Sequence, residues 1–189
     1  VDTAVNEFGR LDVAHLNAGV GERGLDIATL SPESFHRAIG INIGGVVFGT
    51  RAAVNAMSKG GAIIATASLA GLVPYGGDPM YGLTKHAVVG FVRSVAKQLE
   101  DRNITINAVC PGFTRTAMLE EMVSVFEQRG FPLMDPEDIA EAVVKIASSE
   151  HTGEAFICQP GRIGELYKFR GVPGPRTEGA EGMEPPRPS

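Results

Sequence analysis

The run Asp78-Pro79-Met80-Tyr81-Gly82-Leu83-Thr84-Lys85 sets a phenol and an ammonium four residues apart. On a helix those two side chains share one face, because positions i and i+4 are neighbours there. A phenol with a pKa near 10 is a poor base at neutral pH. An adjacent ammonium favours the phenolate and lowers that pKa, and the positive end of a helix dipole acts in the same sense. A tyrosine so tuned could exchange a proton with a substrate hydroxyl. The same pair could equally be a ring packed on a sheet and a solvated helix lysine. Ser68, at the end of the apolar run 61–68, could hold a carbonyl or alkoxide oxygen, or simply satisfy a turn. Asn42 stands between Ile41 and Ile43, where an amide is costly unless it finds partners. Its alternative is a backbone bond at a kink beside Gly40 and Gly44.

Alternating strands and helices must position these groups. "LDVAHL" (11–16), "GAIIATAS" (61–68), "ITINAV" (104–109) and "EAFICQ" (154–159) read as strands. Ser31-Pro32, Asp78-Pro79 and Asp135-Pro136 each pair a capping residue with a proline. They open helices over 31–57, from 79 to about 101, and from 136; 117–128 has helical spacing as well. The pattern predicts an α/β fold, a parallel sheet with right-handed crossovers and helices on both faces. In such sheets ligands bind beyond the carboxyl ends of the strands. Asn17-Ala18-Gly19, Ser68 and Pro111-Gly112 all fall there.

Composition narrows the function classes. A net charge of −5 without a basic stripe argues against nucleic acid as a partner. The most apolar stretches are broken by Asn42, Arg51, Thr66 and Ser68, so no membrane span is expected. Two cysteines, Cys110 and Cys158, make no disulfide framework and fit a reducing cytoplasm. The four histidines show no metal-ligand spacing. From Gly171 onward the chain is rich in proline and glycine and poor in apolar residues, so it is expected to be disordered.

"NAG" (17–19), Asn42, Ser68, "YGLTK" (81–85) and "NAVCPGFTRT" (107–116) together resemble the short-chain dehydrogenase/reductase family in order and spacing. The resemblance covers roughly residues 1–165 and implies the carboxyl-terminal part of a Rossmann-like, doubly wound parallel sheet. The partial domain is expected over 1–166, with 167–189 as tail. The resemblance implies hydride transfer between a secondary alcohol and a nicotinamide cofactor. Tyr81 would be the general acid/base, and Lys85 would lower its pKa and bind the nicotinamide ribose. Ser68 would steady the reacting oxygen, and Asn42 would hold a water linked to Lys85. Asn17, Ala18 and Gly19 would line the cofactor cleft. Pro111, Gly112 and Phe113 would meet the nicotinamide amide, with Thr114 and Thr116 leading toward the phosphates. "ASLAGLVP", "TKHAVVGF" and "NAVCPGF" resemble the hydroxyprostaglandin-oxidising branch of the family, which implies NAD, with NADP still admissible, and a small, lipophilic hydroxy or keto substrate.

Met118, Met122, Val125 and Phe126 form one apolar face, which on this resemblance is a substrate lid or else core. Arg115 and Arg129 would meet an anionic group or be surface charges. Asp78 would cap its helix; placed beside substrate instead, it would repel a carboxylate. Helices 31–57 and 79–101 are those the family uses to form dimers or tetramers.

The family's Gly-rich phosphate turn is absent from these residues, since "GVGERG" (19–24) follows the wrong strand and opens no helix. Each βαβ unit takes about thirty residues, so the opening strand is expected roughly 60 to 70 residues ahead of Val1. On that view the chain is a fragment, with 11–16 at an uncovered edge, and these residues alone would neither fold well nor turn over substrate. A silent dimerising scaffold and a nucleotide-sugar epimerase or dehydratase remain the other readings.

Overall fold

The computed structural model describes residues 1–22, 24–171, 174–179 and 182–183. Its frame is one five-stranded sheet in the order β1 (Val13–Leu16), β2 (Gly61–Thr66), β3 (Ile104–Pro111), β4 (Ala155–Gln159), β5 (Arg162–Leu166). The first four strands are parallel, and β5 turns back antiparallel to β4. The fold class expected from the sequence holds. The fifth strand was not foreseen, because "RIGEL" is short, carries three charged or glycine positions, and follows β4 after a tight turn.

The helices form for local reasons the sequence displays. Ser31 Oγ accepts from Ser34 N at 3.0 Å and opens α2 (Pro32–Ala38). Asp78 Oδ1 accepts from Tyr81 N at 2.8 Å and opens α4 (Pro79–Leu99). Asp135 and Asp138 exchange side-chain-to-backbone bonds as a capping box at the start of α6 (Pro136–Ala147). Each satisfies an amide that a helix start leaves unpaired. A short α1 (Asp2–Phe8) precedes β1, and α5 (Glu120–Gln128) lies between β3 and α6.

The helix expected over 31–57 is not uniform. Between α2 and α3 (Gly45–Ala56) the residues Ile39–Gly44 wind as a π-helix. Gly40 and Gly44 flank the wider turn, and Asn42 within it is fully buried.

Alternation along β2 divides the core into two layers. Ile63 and Ala65 face α3 and α4, packing with Val46, Val88, Val92 and Ile106. Ala62 and Ile64 face α6, packing with Val143, Ile146 and Phe156. The strand order advances in one direction while α6 lies on the face opposite α3 and α4. The third crossover therefore has the opposite hand to the first two, and the expectation of right-handed crossovers throughout fails there. The long segment 112–135 gives the chain the reach to change faces.

The packed chain also runs past 166. Tyr167 N donates to the Ala155 carbonyl at 2.9 Å, and Tyr167 and Phe169 pack on the α4 layer, with the Arg93 guanidinium 3.7 Å from the Phe169 ring centre. The first residues of the expected tail, as far as Phe169, are thus packed on the core. Much of the tail beyond Gly171, read as disordered, lies outside the described residues.

Candidate active site

Three strand ends and one helix start meet at one edge of the sheet. The β1 end carries Asn17, Ala18 and Gly19; the β2 end carries Thr66 and Ser68; the β3 end carries Pro111, Gly112 and Phe113. The first two turns of α4 supply Tyr81 and Lys85. The turn after Ser68 packs directly on α4. A Cβ on Gly71 would come 2.6 Å from the Lys85 carbonyl oxygen, so only glycine admits that approach. Ser68 Oγ accepts from Ala70 N at 3.1 Å and donates to the Pro111 carbonyl at 3.4 Å. Those bonds fix the hydroxyl near Tyr81, where it favours the phenolate.

Lys85 is 2% exposed. Its Nζ donates to the Thr66 carbonyl at 2.8 Å and lies 5.4 Å from the centre of the Tyr81 ring. Burial disfavours the ammonium and lowers its pKa to about 8. Tyr81 moves the other way. Burial raises its pKa above the ordinary value of 10.0, opposed by the Ser68 hydrogen bond and reinforced by Tyr75, Asp78 and Cys110. Lys85 is not among the groups that set this direction. The ammonium is turned onto the Thr66 carbonyl, and desolvation of the phenolate outweighs what remains. Cys110, beneath this group, is pushed by burial to about 12 and stays a neutral thiol.

Asn42 is placed by the π-helix and makes three hydrogen bonds to protein. Oδ1 accepts from Val20 N at 2.7 Å; Nδ2 donates to the Val20 carbonyl at 2.8 Å and to Thr84 Oγ1 at 2.9 Å. These bonds make the side chain a clamp on the loop after Gly19. Asp78 is a second clamp: besides capping α4, its Oδ2 accepts from Glu22 N at 2.6 Å. Capping was the expected role, and the second bond uses its other oxygen. A Cβ on Gly19 would stand 3.2 Å from Lys85 Nζ and 3.5 Å from Asn42 Oδ1, so the loop lies close over the buried amine.

Thr66, Thr84 and the Val20 backbone were missed in the sequence. Thr66 lies two residues before Ser68, where the period of two puts both on one side of the strand end. Thr84 lies inside the Tyr-x-x-x-Lys run itself.

On the β3 side, Phe113 is 38% exposed and stacks with Phe126 at 4.6 Å and Phe131 at 5.8 Å between ring centres. Phe126 thus docks α5 on the strand end, while Met118 stands 47% exposed. Arg115 is taken up within the chain: it pairs with Glu127 at 2.7 Å and Asp135 at 3.6 Å. Thr114 Oγ1 donates to the Gly112 carbonyl and Thr116 Oγ1 to the Thr114 carbonyl, at 3.2 and 3.4 Å. These two bonds form a turn beyond Phe113. Among the described residues no group of histidine, cysteine and carboxylate side chains could hold a metal ion. No described helix is long and apolar enough to cross a membrane.

The donor set suits a ribose diol. A buried ammonium carries three protons, and the Thr66 carbonyl is the acceptor found for one of them among the described residues. The Tyr81 phenol lies one helical turn away on the same face.

The family model described as enoyl-(acyl carrier protein) reductase matches residues 1–161. An (S)-acetoin-forming diacetyl reductase of Staphylococcus epidermidis is 35% identical over 187 residues, covering 86% of this chain and 72% of that protein. The human NAD(+) 15-hydroxyprostaglandin dehydrogenase is 39% identical over 125 residues, 62% of this chain and 44% of that protein. The chain therefore spans less than half of the latter relative. Among solved structures, NADP-bound ElxO superposes with a TM-score of 0.75 at 29% identity, covering 82% of this chain and 68% of that one. A short-chain type dehydrogenase/reductase from Mycobacterium marinum gives a TM-score of 0.78 at 29% identity, with 85% and 68% covered.

Proposed function

From a chain that belongs to the short-chain dehydrogenase/reductase family, we propose an oxidoreductase that interconverts a secondary alcohol and a ketone, with Tyr81 as general acid/base. The observation that carries this is the meeting of Ser68, Tyr81 and Lys85 at the carboxyl end of β2. When bound, a nicotinamide dinucleotide supplies the two-electron chemistry. NAD is the form this reading prefers; the NAD(+) relative and the NADP-bound neighbour support a nicotinamide in either phosphate form.

In the reducing direction the Tyr81 phenol donates its proton to the substrate oxygen as negative charge develops there, and the Ser68 hydroxyl holds that oxygen. Lys85 donates to the ribose hydroxyls and sets the field behind the phenol. Asn42 and Asp78 fix the loop 19–22 over both. Asn17, Ala18 and Gly19 line one wall of the cleft. Pro111, Gly112 and Phe113 form the other, continued by Thr114 and Thr116.

The aromatic group Phe113, Phe126 and Phe131 supports a lipophilic small-molecule substrate under the 117–134 segment. Phe48, 61% exposed on α3, and Leu83, 49% exposed on α4, are apolar contacts through which a homodimer or homotetramer would pair, in the cytoplasm.

The test is cofactor-linked turnover of a panel of secondary alcohols and ketones by the protein as its source makes it. Tyr81→Phe is expected to lower kcat by about 100-fold or more and leave cofactor affinity within about twofold. Turnover by the phenylalanine variant at the parent rate would refute the assignment.

A further inference from the structure

His15 interrupts an otherwise apolar edge strand, and no step above uses it. We infer that His15 is a positioning residue of the cofactor cleft, acting through Thr66 to orient the Asn17 amide. The inference rests on the enzyme reading just given and adds a residue to it.

The geometry runs as a relay. His15 Nε2 lies 2.9 Å from Thr66 Oγ1, and Thr66 Oγ1 donates to Asn17 Oδ1 at 2.8 Å. A threonine hydroxyl has one proton, and here it is spent on Asn17. The His15 contact must then be Nε2–H donating to the hydroxyl, which assigns the ring its Nε2–H tautomer. Burial lowers the His15 pKa below its ordinary 6.5 and keeps the ring neutral at pH 7.

Two consequences follow. With Oδ1 held on Thr66, the Asn17 NH2 group finds no acceptor among the described residues. That group is a pair of donors presented to a cofactor oxygen. Thr66 also lends its carbonyl to Lys85, so one residue ties the Asn17 turn to the buried amine. The β1–β2 ladder ends at Leu16 and Ala65. Thr66, one residue past that end, joins β2 to β1 through both His15 and Asn17.

The experiment uses the protein as its source makes it, with His15→Val, His15→Gln, Thr66→Val and the His15→Val/Thr66→Val double variant. Circular dichroism and Tm establish that each is folded. Long-range proton–nitrogen NMR of the unliganded protein is expected to show His15 in the Nε2–H form. An Nδ1–H ring would reverse the Asn17 amide and overturn the proposal.

Titration with NADH and NADPH by fluorescence is then expected to show about fivefold weaker binding in His15→Val, the worth of one ordinary hydrogen bond. Recovery to within about twofold is expected in His15→Gln, which keeps a donor at the same reach. The KM for cofactor should rise in His15→Val while kcat at saturation stays within about twofold. In the Thr66→Val background the His15→Val change should add nothing. Unchanged affinity in His15→Val, equal loss in His15→Gln, or additive losses would each overturn the relay. If the parent protein binds neither dinucleotide, the enzyme reading falls, and the tautomer measurement still decides the relay.

Discussion

Lys85 and Tyr81 carry the sharpest energetic consequence at the scale of single residues, because burial disfavours the charged form of each. The Lys85 pKa of about 8 lies well below its ordinary 10.5. Below pH 8 the folded state bears the full cost of a buried ammonium. Between pH 8 and 10.5 the unfolded chain holds a proton that the folded chain has released, so stability rises with pH across that window. Lys85→Met removes the cost, and is expected to stabilise the fold by about 1–3 kcal/mol at pH 7 while abolishing turnover. The gain should shrink toward pH 10, as read by denaturant midpoints at both pH values. An equal gain at both would mean that packing, not charge, is responsible. Tyr81 has the opposite sign. Its raised pKa keeps the phenol protonated at neutral pH, ready to donate to a ketone. Ketone reduction is expected to be flat from about pH 6 to 8, whereas alcohol oxidation, which starts from the phenolate, should climb without levelling up to about pH 10. These profiles are read from kcat/KM, which reports the free enzyme. A plateau in oxidation well below that range would show that another group stabilises the phenolate.

Clamps between elements, rather than the strands alone, decide whether the site keeps its shape. The π-helical turn Ile39–Gly44 brings the Asn42 amide inward onto both polar groups of Val20. Asp78 joins the start of α4 to the same loop through one oxygen for each. The two functions of Asp78 can be separated. Asp78→Asn retains an oxygen for the Tyr81 amide but presents NH2 toward the Glu22 amide, while Asp78→Ala loses both bonds. The alanine change is expected to cost about 1–2 kcal/mol through the lost cap, measured by denaturant unfolding. The asparagine change should cost less than half of that, yet speed hydrogen exchange at the Glu22 amide as much as alanine does. Equal protection of Glu22 in the asparagine variant and the parent would rule out the clamp. At the other wall, Arg115 pairs across α5 to Glu127 and Asp135, so the segment over the aromatic group is fastened by charge as well as by Phe126.

For the whole molecule, the two core layers assign each helix a duty. The α3–α4 layer carries the site on its inner surface and leaves Phe48 and Leu83 exposed on its outer one. The α6 layer holds the back of the sheet and receives β5. An aromatic ring 61% exposed beside Arg51, 5.4 Å from the ring centre, has the character of an anchor for the subunit contact proposed above. Phe48→Glu is expected to shift the protein to a smaller species in size-exclusion chromatography with light scattering, and to leave its circular dichroism spectrum unchanged. An unaltered elution mass would remove α3 from the interface.

Whatever depends on neighbours in the chain was legible in the residues themselves. The three cap-and-proline helix starts, the alternation along β2, the strand ends, and the Tyr81–Lys85 spacing are local, so sequence alone determined the α/β fold and the group of side chains at one sheet edge. Tertiary structure decided what depends on burial and on contacts distant in sequence. The direction of the Tyr81 pKa follows from desolvation by elements far apart in the chain. The role of Asn42 follows from a loop that reaches it across the sheet edge. The hidden strand β5 exists because β4 offers it an unpaired edge, and its own five residues carry too weak a pattern to announce it. The opposite hand of the third crossover follows from α6 covering the sheet face that α3 and α4 leave bare. Pairing and desolvation are properties of the packed molecule, and no window of sequence contains both partners.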